Sequence, residues 1–287
     1  MNNIPFIHLR THSEYSLIDS LISVEELVNT AVANQMPAIA LTDNANLFAA
    51  IKFYQTAIKA KIKPILGADI WIENTNDIKN PFRLTLLCQN KIGYSHLIKL
   101  ISKSYTQGQK FDRPLVSYDW IKTYNTGLIA LSGAQAGDIG QSLIHQKWET
   151  AKQQANDWKT IFPDRFYIEL NRTENESETN YLASAIALAK NTQIPVVATN
   201  AVCFIQEEDF EAHEARVCIQ SGYTLNDPNR PKNYTSKQYF RDAKTMQTLF
   251  ADIPEAIENS FEIAKRCNLK LALDKVYFPL FPVPENF

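Results

Sequence analysis

Four side chains near the start of the chain, His8, His12, Glu14 and Asp19, are of types that bind metal. They lie in or just after a short apolar run, 6–10, that reads as a strand. Imidazole and carboxylate together hold Zn2+ or Mn2+ and leave a position open to water, which is how many metallohydrolase sites begin. One residue breaks the pattern. Strand alternation puts Arg10, and not a histidine, on the same side as His12. A permanent cation beside such donors opposes a metal ion. The stretch therefore reads either as a working metal site or as what remains of one.

Positioning such a cluster requires a scaffold, and the rest of the chain supplies the pattern of one. Short apolar runs at 6–10, 38–42, 64–71, 84–88, 127–131, 165–170 and 195–199 predict strands. Amphipathic segments lie between most of them. Val24, Leu27, Val28 and Ala31 recur at helical spacing behind a Ser23-x-x-Glu26 capping box, and Leu182, Ala185, Ile186 and Ala189 repeat the spacing. About seven strand–helix units imply a parallel sheet covered by helices. Candidate functional residues follow several different strands, which favours a closed barrel over an open sheet. From 207 to 267 the pattern is helical, with helices expected at 210–220, 236–250 and 255–267. The proline-rich stretch 271–287 reads as a linker after a domain spanning 1–270.

Composition narrows the function classes. The chain has 287 residues, is 45% hydrophobic and 21% charged, and has a net charge of -2. Nothing in that balance points to a basic nucleic-acid surface over the whole chain. Four cysteines, Cys88, Cys203, Cys218 and Cys267, show no CxxC spacing and read as reduced, buried thiols. No apolar run reaches the ~20 residues of a membrane helix, and the N-terminus lacks a signal pattern. A cytoplasmic protein is expected. There is neither a glycine-rich phosphate loop nor a Gly-x-Ser-x-Gly elbow.

Six motifs then occur in a fixed order. They are His8-Leu-Arg-Thr-His-Ser-Glu-Tyr-Ser, Leu41-Thr-Asp-Asn-Ala-Asn-Leu47, Lys63-Pro-Ile-Leu-Gly-Ala-Asp69, Gly127-Leu-Ile-Ala-Leu-Ser-Gly133, Val197-Ala-Thr-Asn200 and Phe250-Ala-Asp-Ile-Pro-Glu-Ala256. Together they resemble the PHP (polymerase and histidinol phosphatase) domain at the N-terminus of bacterial DNA polymerase III α subunits. The resemblance implies an α/β fold: a distorted TIM-like (β/α)7 barrel of the PHP type, a helical C-terminal segment and a linker tail toward a polymerase palm beyond residue 287. Any metal cluster would sit at the C-terminal ends of the strands.

Carried over residue by residue, the resemblance implies a damaged site. Where metal-binding members read H-x-H, this chain has Arg10 and His12. Asp19 matches a family carboxylate. The family T-D-H-G-N is Thr42-Asp43-Asn44-Ala45-Asn46, so a histidine has become Asn44. A family glutamate is Asp69. Further family ligands fall at Lys103 and Ala134, and the final carboxylate–histidine pair falls at Ala201 and Cys203. Only His12, Asp19 and Asp69 keep a plausible donor. Arg10 is expected to pair with Asp19, Asp43 or Asp69 and to supply the positive charge that metal supplies elsewhere. No catalytic residue and no cofactor are then expected in this domain; Mg2+ belongs to the absent polymerase domain. The implied role is that of a scaffold and docking site for the proofreading exonuclease subunit, with other holoenzyme subunits as partners, DNA reached through the full-length protein, and no membrane. The alternatives are an active metal-dependent phosphoesterase or 3′–5′ exonuclease of the same family, or a separate histidinol-phosphatase-type hydrolase.

The remaining histidines carry plainer expectations. His12 reads as a hydrogen-bonded histidine at the barrel mouth, His8 as structural, and His96 and His145 as surface residues. His213 stands four positions after Asp209, which suits a helical surface pair. The polar stretch 226–234 reads as an ordered surface loop.

Overall fold

A computed structural model describes residues 5–175, 178–276 and 278. Eight strands are present among them: β1 (Ala38–Leu41), β2 (Lys63–Ile72), β3 (Phe82–Cys88), β4 (Gln109–Lys110), β5 (Arg113–Val116), β6 (Leu128–Leu131), β7 (Phe166–Asn171) and β8 (Val196–Thr199). Hydrogen bonding runs β1–β2–β3–β6–β7–β8. The chain's first described residues close the ring. The Ala40 amide donates to the His8 carbonyl at 3.0 Å and that of Thr42 to Thr11 at 2.9 Å. On the other side the His12 amide donates to Val202 at 3.0 Å, and that of Val202 to Arg10 at 3.2 Å. Seven extended segments thus form a barrel, as the spacing of the apolar runs implied.

Two local expectations are corrected. Residues 6–10 are extended but do not form a regular strand, because their polar groups are shared among several partners; the Ile7 amide, for instance, donates to Ser260 Oγ at 3.0 Å. The sheet is also not wholly parallel. β3 runs antiparallel to both β2 and β6, with Asp69 opposite Thr85 and Thr85 opposite Leu131. Only the loop 73–81 joins β2 to β3, with no crossover helix, so the chain must double back. Gly67 permits the resulting close approach, since a Cβ there would stand 2.4 Å from the Leu86 carbonyl oxygen.

Helices cover the barrel. Val24–Ala33 starts where Ser23 Oγ accepts from the Glu26 amide at 3.2 Å, and it buries Val24, Leu27, Val28 and Ala31. Helix Glu178–Thr192 buries Ala185 and Ala189 in the same manner. The helical third contains Phe210–Ser221, Ala243–Leu249 and Pro254–Arg266. The middle one is much shorter than the expected 236–250. Residues 236 and 237 form a turn and 238–240 are drawn into extended pairing instead: the Cys203 amide donates to Gln238 and the Phe240 amide to Phe204, both at 3.0 Å. Asp242 then caps the short helix, accepting from the Thr245 amide at 2.6 Å. Among the described residues no helix is long and apolar enough to cross a membrane. All four cysteines are free and buried. Of the expected linker 271–287, positions 277 and 279–287 lie outside the described residues.

Candidate functional site

At the mouth of the barrel a cleft of about 890 Å3 is lined by Arg10, Asp19, Asn44, Trp71, Arg83 and Tyr234, among others. Its floor is a buried ion cluster. Arg10 Nε donates to Asp69 Oδ2 at 2.8 Å, and Arg10 Nη1 donates to Glu169 Oε1 at 3.1 Å. The Arg10 side chain is 6% exposed and both carboxylates are at 0%. His12 Nε2 lies 3.0 Å from the same Asp69 oxygen. An ionised carboxylate only accepts, so that ring nitrogen carries the proton. Thr85 donates to the other Asp69 oxygen, and Thr199 Oγ1 donates to Glu169 Oε1 at 2.5 Å.

A second guanidinium lies above this floor. Arg83 Nη1 is 3.3 Å from Asp69 Oδ2 and Nη2 is 4.0 Å from Asp19 Oδ2, and its planar group rests 4.5 Å from the centre of the Trp71 ring. Asp19 also accepts from Asn44 Nδ2 at 2.7 Å and from the Tyr234 hydroxyl. Asp43 faces elsewhere. It accepts from the Ser13 amide at 2.7 Å, Ser13 Oγ at 2.8 Å and Ser16 Oγ at 2.6 Å, and so pins the turn that presents Asp19.

The electrostatics follow from burial and pairing. Burial alone would raise Asp69, but the charge of Arg10, the bond from His12 and the charge of Arg83 outweigh it and hold the carboxyl well below the usual range. Burial alone would lower Arg10, yet Asp69 and Glu169 raise it above its ordinary value. Asp19 is likewise lowered against its burial, first by Arg83. Cys203 is pushed up by burial, so its thiol is no ready thiolate donor.

Several expected positions therefore lie elsewhere or have other partners. Arg10 reaches Asp69 but neither Asp43 nor Asp19. Lys103 is not at the cleft. It sits half-buried on helix Lys91–Thr106, donating to Gln107 Oε1 at 2.9 Å with its ammonium 4.7 Å from the Trp120 ring centre, so the second cation at the site is Arg83. Ala134 and Ala201 do line the mouth but have no donor to offer. His213 is fully buried against the rings of Tyr234 and Phe204, while Asp209 accepts from the Gln206 amide at 2.8 Å, so the two make no surface pair. His8 Nε2 meets the Arg241 carbonyl at 2.8 Å; nearer the surface, His96 Nδ1 meets the Thr126 carbonyl at 3.0 Å and His145 Nδ1 meets that of Gln141 at 2.7 Å.

Glu169, Arg83 and Tyr234 were not singled out from the sequence. Glu169 had a signal, since a carboxylate inside a buried strand such as β7 requires a partner. Among the described residues, no group of three or more His, Cys, Asp or Glu side chains is placed to hold a metal ion. His12 and Asp69 bond each other, and the space between Asp69 and Glu169 is taken by the N–H groups of Arg10. This donor set does not fit a divalent cation.

The sequence that builds this barrel places it in a known class. The PHP domain family matches residues 8–173, more than half of the chain, and the chain belongs to that family. Within it, the chain is 45% identical over 283 residues to DNA polymerase III subunit alpha of Pseudomonas aeruginosa, a match covering 99% of this chain and 24% of the relative. It is 45% identical over 285 residues to the Escherichia coli subunit, covering 99% and 25%. For Vibrio cholerae the identity is 46% over 282 residues, covering 98% and 24%. The chain thus spans about a quarter of the length of the curated relatives it matches. Among solved structures, an amidohydrolase from Chromobacterium violaceum shares 13% identity at a TM-score of 0.47, over 73% of this chain and 96% of that one.

Proposed function

We propose that this chain is the N-terminal PHP domain of a replicative DNA polymerase III α subunit and that the domain is itself metal-free and catalytically silent. The whole protein would extend a primed DNA strand, with Mg2+ held by carboxylates outside these 287 residues. The present domain would serve as scaffold and as a docking face for the proofreading exonuclease subunit. Identity of 45% to such subunits over nearly the entire chain supports the first part.

The observation that carries the second part is the double pairing of Arg10 with Asp69 and Glu169. Buried carboxylates repel one another and need a cation between them. A guanidinium fixed in the chain supplies that charge, cannot be deprotonated, and uses its donors on the very oxygens a metal would need. It offers no open coordination position and cannot generate hydroxide from water, so hydrolysis loses its nucleophile. The test is an assay of the purified protein for release of phosphate or nucleotide from phosphoesters and single-stranded DNA, with added Mn2+ or Zn2+. No hydrolysis above background is expected. Turnover that a chelator abolishes would restore the phosphoesterase or exonuclease reading.

A further inference from the structure

The segment that follows helix Phe210–Ser221 lies across the barrel mouth, where Lys232, Asn233 and Tyr234 line the same cleft as Arg10, Asp19 and Arg83. It starts at Gly222, which has φ 74° and nothing within 4 Å of where a Cβ would stand. A glycine in the left-handed region with open space around it can turn without collision. The far end is anchored. Asn200 Nδ2 donates to the carbonyls of Lys237 at 2.9 Å and Tyr239 at 2.8 Å, and Thr235 Oγ1 donates to the Thr173 carbonyl at 2.5 Å.

Between Gly222 and the anchor most residues are exposed, and Arg230 ties the middle of the segment to the preceding helix. The Asp227 amide donates to Thr224 at 3.1 Å, and Arg230 bonds Glu214 on the preceding helix and the Leu225 carbonyl. Tyr234 differs. Its ring packs edge-on against buried His213 at 4.6 Å, and its hydroxyl donates to Asp19 on the barrel. Asp19 is a strong acceptor, because Arg83 and Asn44 hold it as the anion.

We propose that residues 222–234 form a lid over the barrel mouth and that the Tyr234–Asp19 hydrogen bond is the latch that holds it shut. Release lifts the stretch between the Arg230–Glu214 pair and the Thr235 anchor and uncovers Asp19 and Arg83, while the Arg10 pairs beneath remain intact. The device does not depend on whether the cluster holds metal.

Trypsin reads the latch directly. It cuts after exposed Lys232, whereas the Arg230 bond is protected by the proline that follows. Tyr234→Phe removes the hydroxyl and keeps the ring against His213. In the 287-residue chain, cleavage after Lys232 is expected to speed up about tenfold, the worth of one charge-assisted hydrogen bond, with amide exchange in β1 and β7 unchanged. Asp19→Ala, which removes the acceptor, should speed the same cleavage by a similar factor, and the double variant should exceed neither. Cleavage of Tyr234→Phe at the wild-type rate would overturn the proposal. So would an equal rise of exchange in the barrel strands, because the hydroxyl would then support the fold as a whole. A double variant cut much faster than either single one would also overturn it, since the two groups would not be acting as a pair.

Discussion

Arg10 and Glu169 stand 159 positions apart in the chain and meet at 3.1 Å beneath the barrel mouth. Both side chains are buried, and Asp69 holds the other edge of the same guanidinium. One cation thus ties the first segment of the barrel to β2 and β7. Removing it leaves two carboxylates buried without their main counter-charge. Arg10→Ala is expected to destabilise the fold by about 3 kcal/mol, the order seen when one partner of a buried pair is deleted. Denaturant titration measures this. A neutral result would mean that the cluster is hydrated and that the guanidinium is dispensable.

His8 predicts how stability depends on pH. Its ring is fully buried between Phe6 and Phe240, and burial, helped by the charge of Arg241, pushes its pKa from 6.5 down to about 4 despite the bond to the Arg241 carbonyl. Below pH 6.5 the unfolded chain takes a proton that the folded chain refuses until about pH 4. Stability from this group is therefore intact above that window and falls as pH drops through it, by about 3 kcal/mol in all. Asp69 and Asp19, both lowered by folding, act further down: their contribution is present above the ordinary carboxylate range and is lost below it. Unfolding midpoints measured across pH 4 to 6.5 should fall steeply in the wild type and less steeply in His8→Gln. The same slope in both would assign the loss to another group.

Ala45 sits at φ 53°, in the left-handed region, with its amide donating to the Asp69 carbonyl at 2.7 Å. An alanine there costs about 1–2 kcal/mol over a glycine. Ala45→Gly should remove that strain while adding about 0.4–1 kcal/mol of unfolded-state entropy to be lost. The net expectation is a neutral to slightly more stable protein, unlike an ordinary alanine-to-glycine change. Thermal denaturation decides it, and a clear drop in midpoint would show that the methyl group packs usefully.

The motifs and the barrel were legible in the sequence because both rest on local spacing. Ser23 and Glu26 announce a helix start, and apolar runs announce strands. The course of β3 was not legible, since nothing in a strand's own residues states whether its neighbours run parallel. That mattered at the site. Arg83 comes from β3, and its reach to Asp69 depends on the antiparallel register that sets Asp69 opposite Thr85. The motifs alone point to Lys103 as part of the cluster, but its helix carries it to the outside. Glu169 and Tyr234 approach from distant parts of the chain, and only closure of the barrel brings them to Arg10 and Asp19.

At the barrel mouth a guanidinium occupies the ground a metal ion would need. Crystals grown with Mn2+ and with Zn2+, examined at the absorption edge of each metal, would reveal an ion that displaces it. No anomalous peak is expected among His12, Asp19, Asp69 and Glu169, with Arg10 still bonded to both carboxylates. A well-occupied ion there, with Arg10 displaced from Asp69, would contradict it.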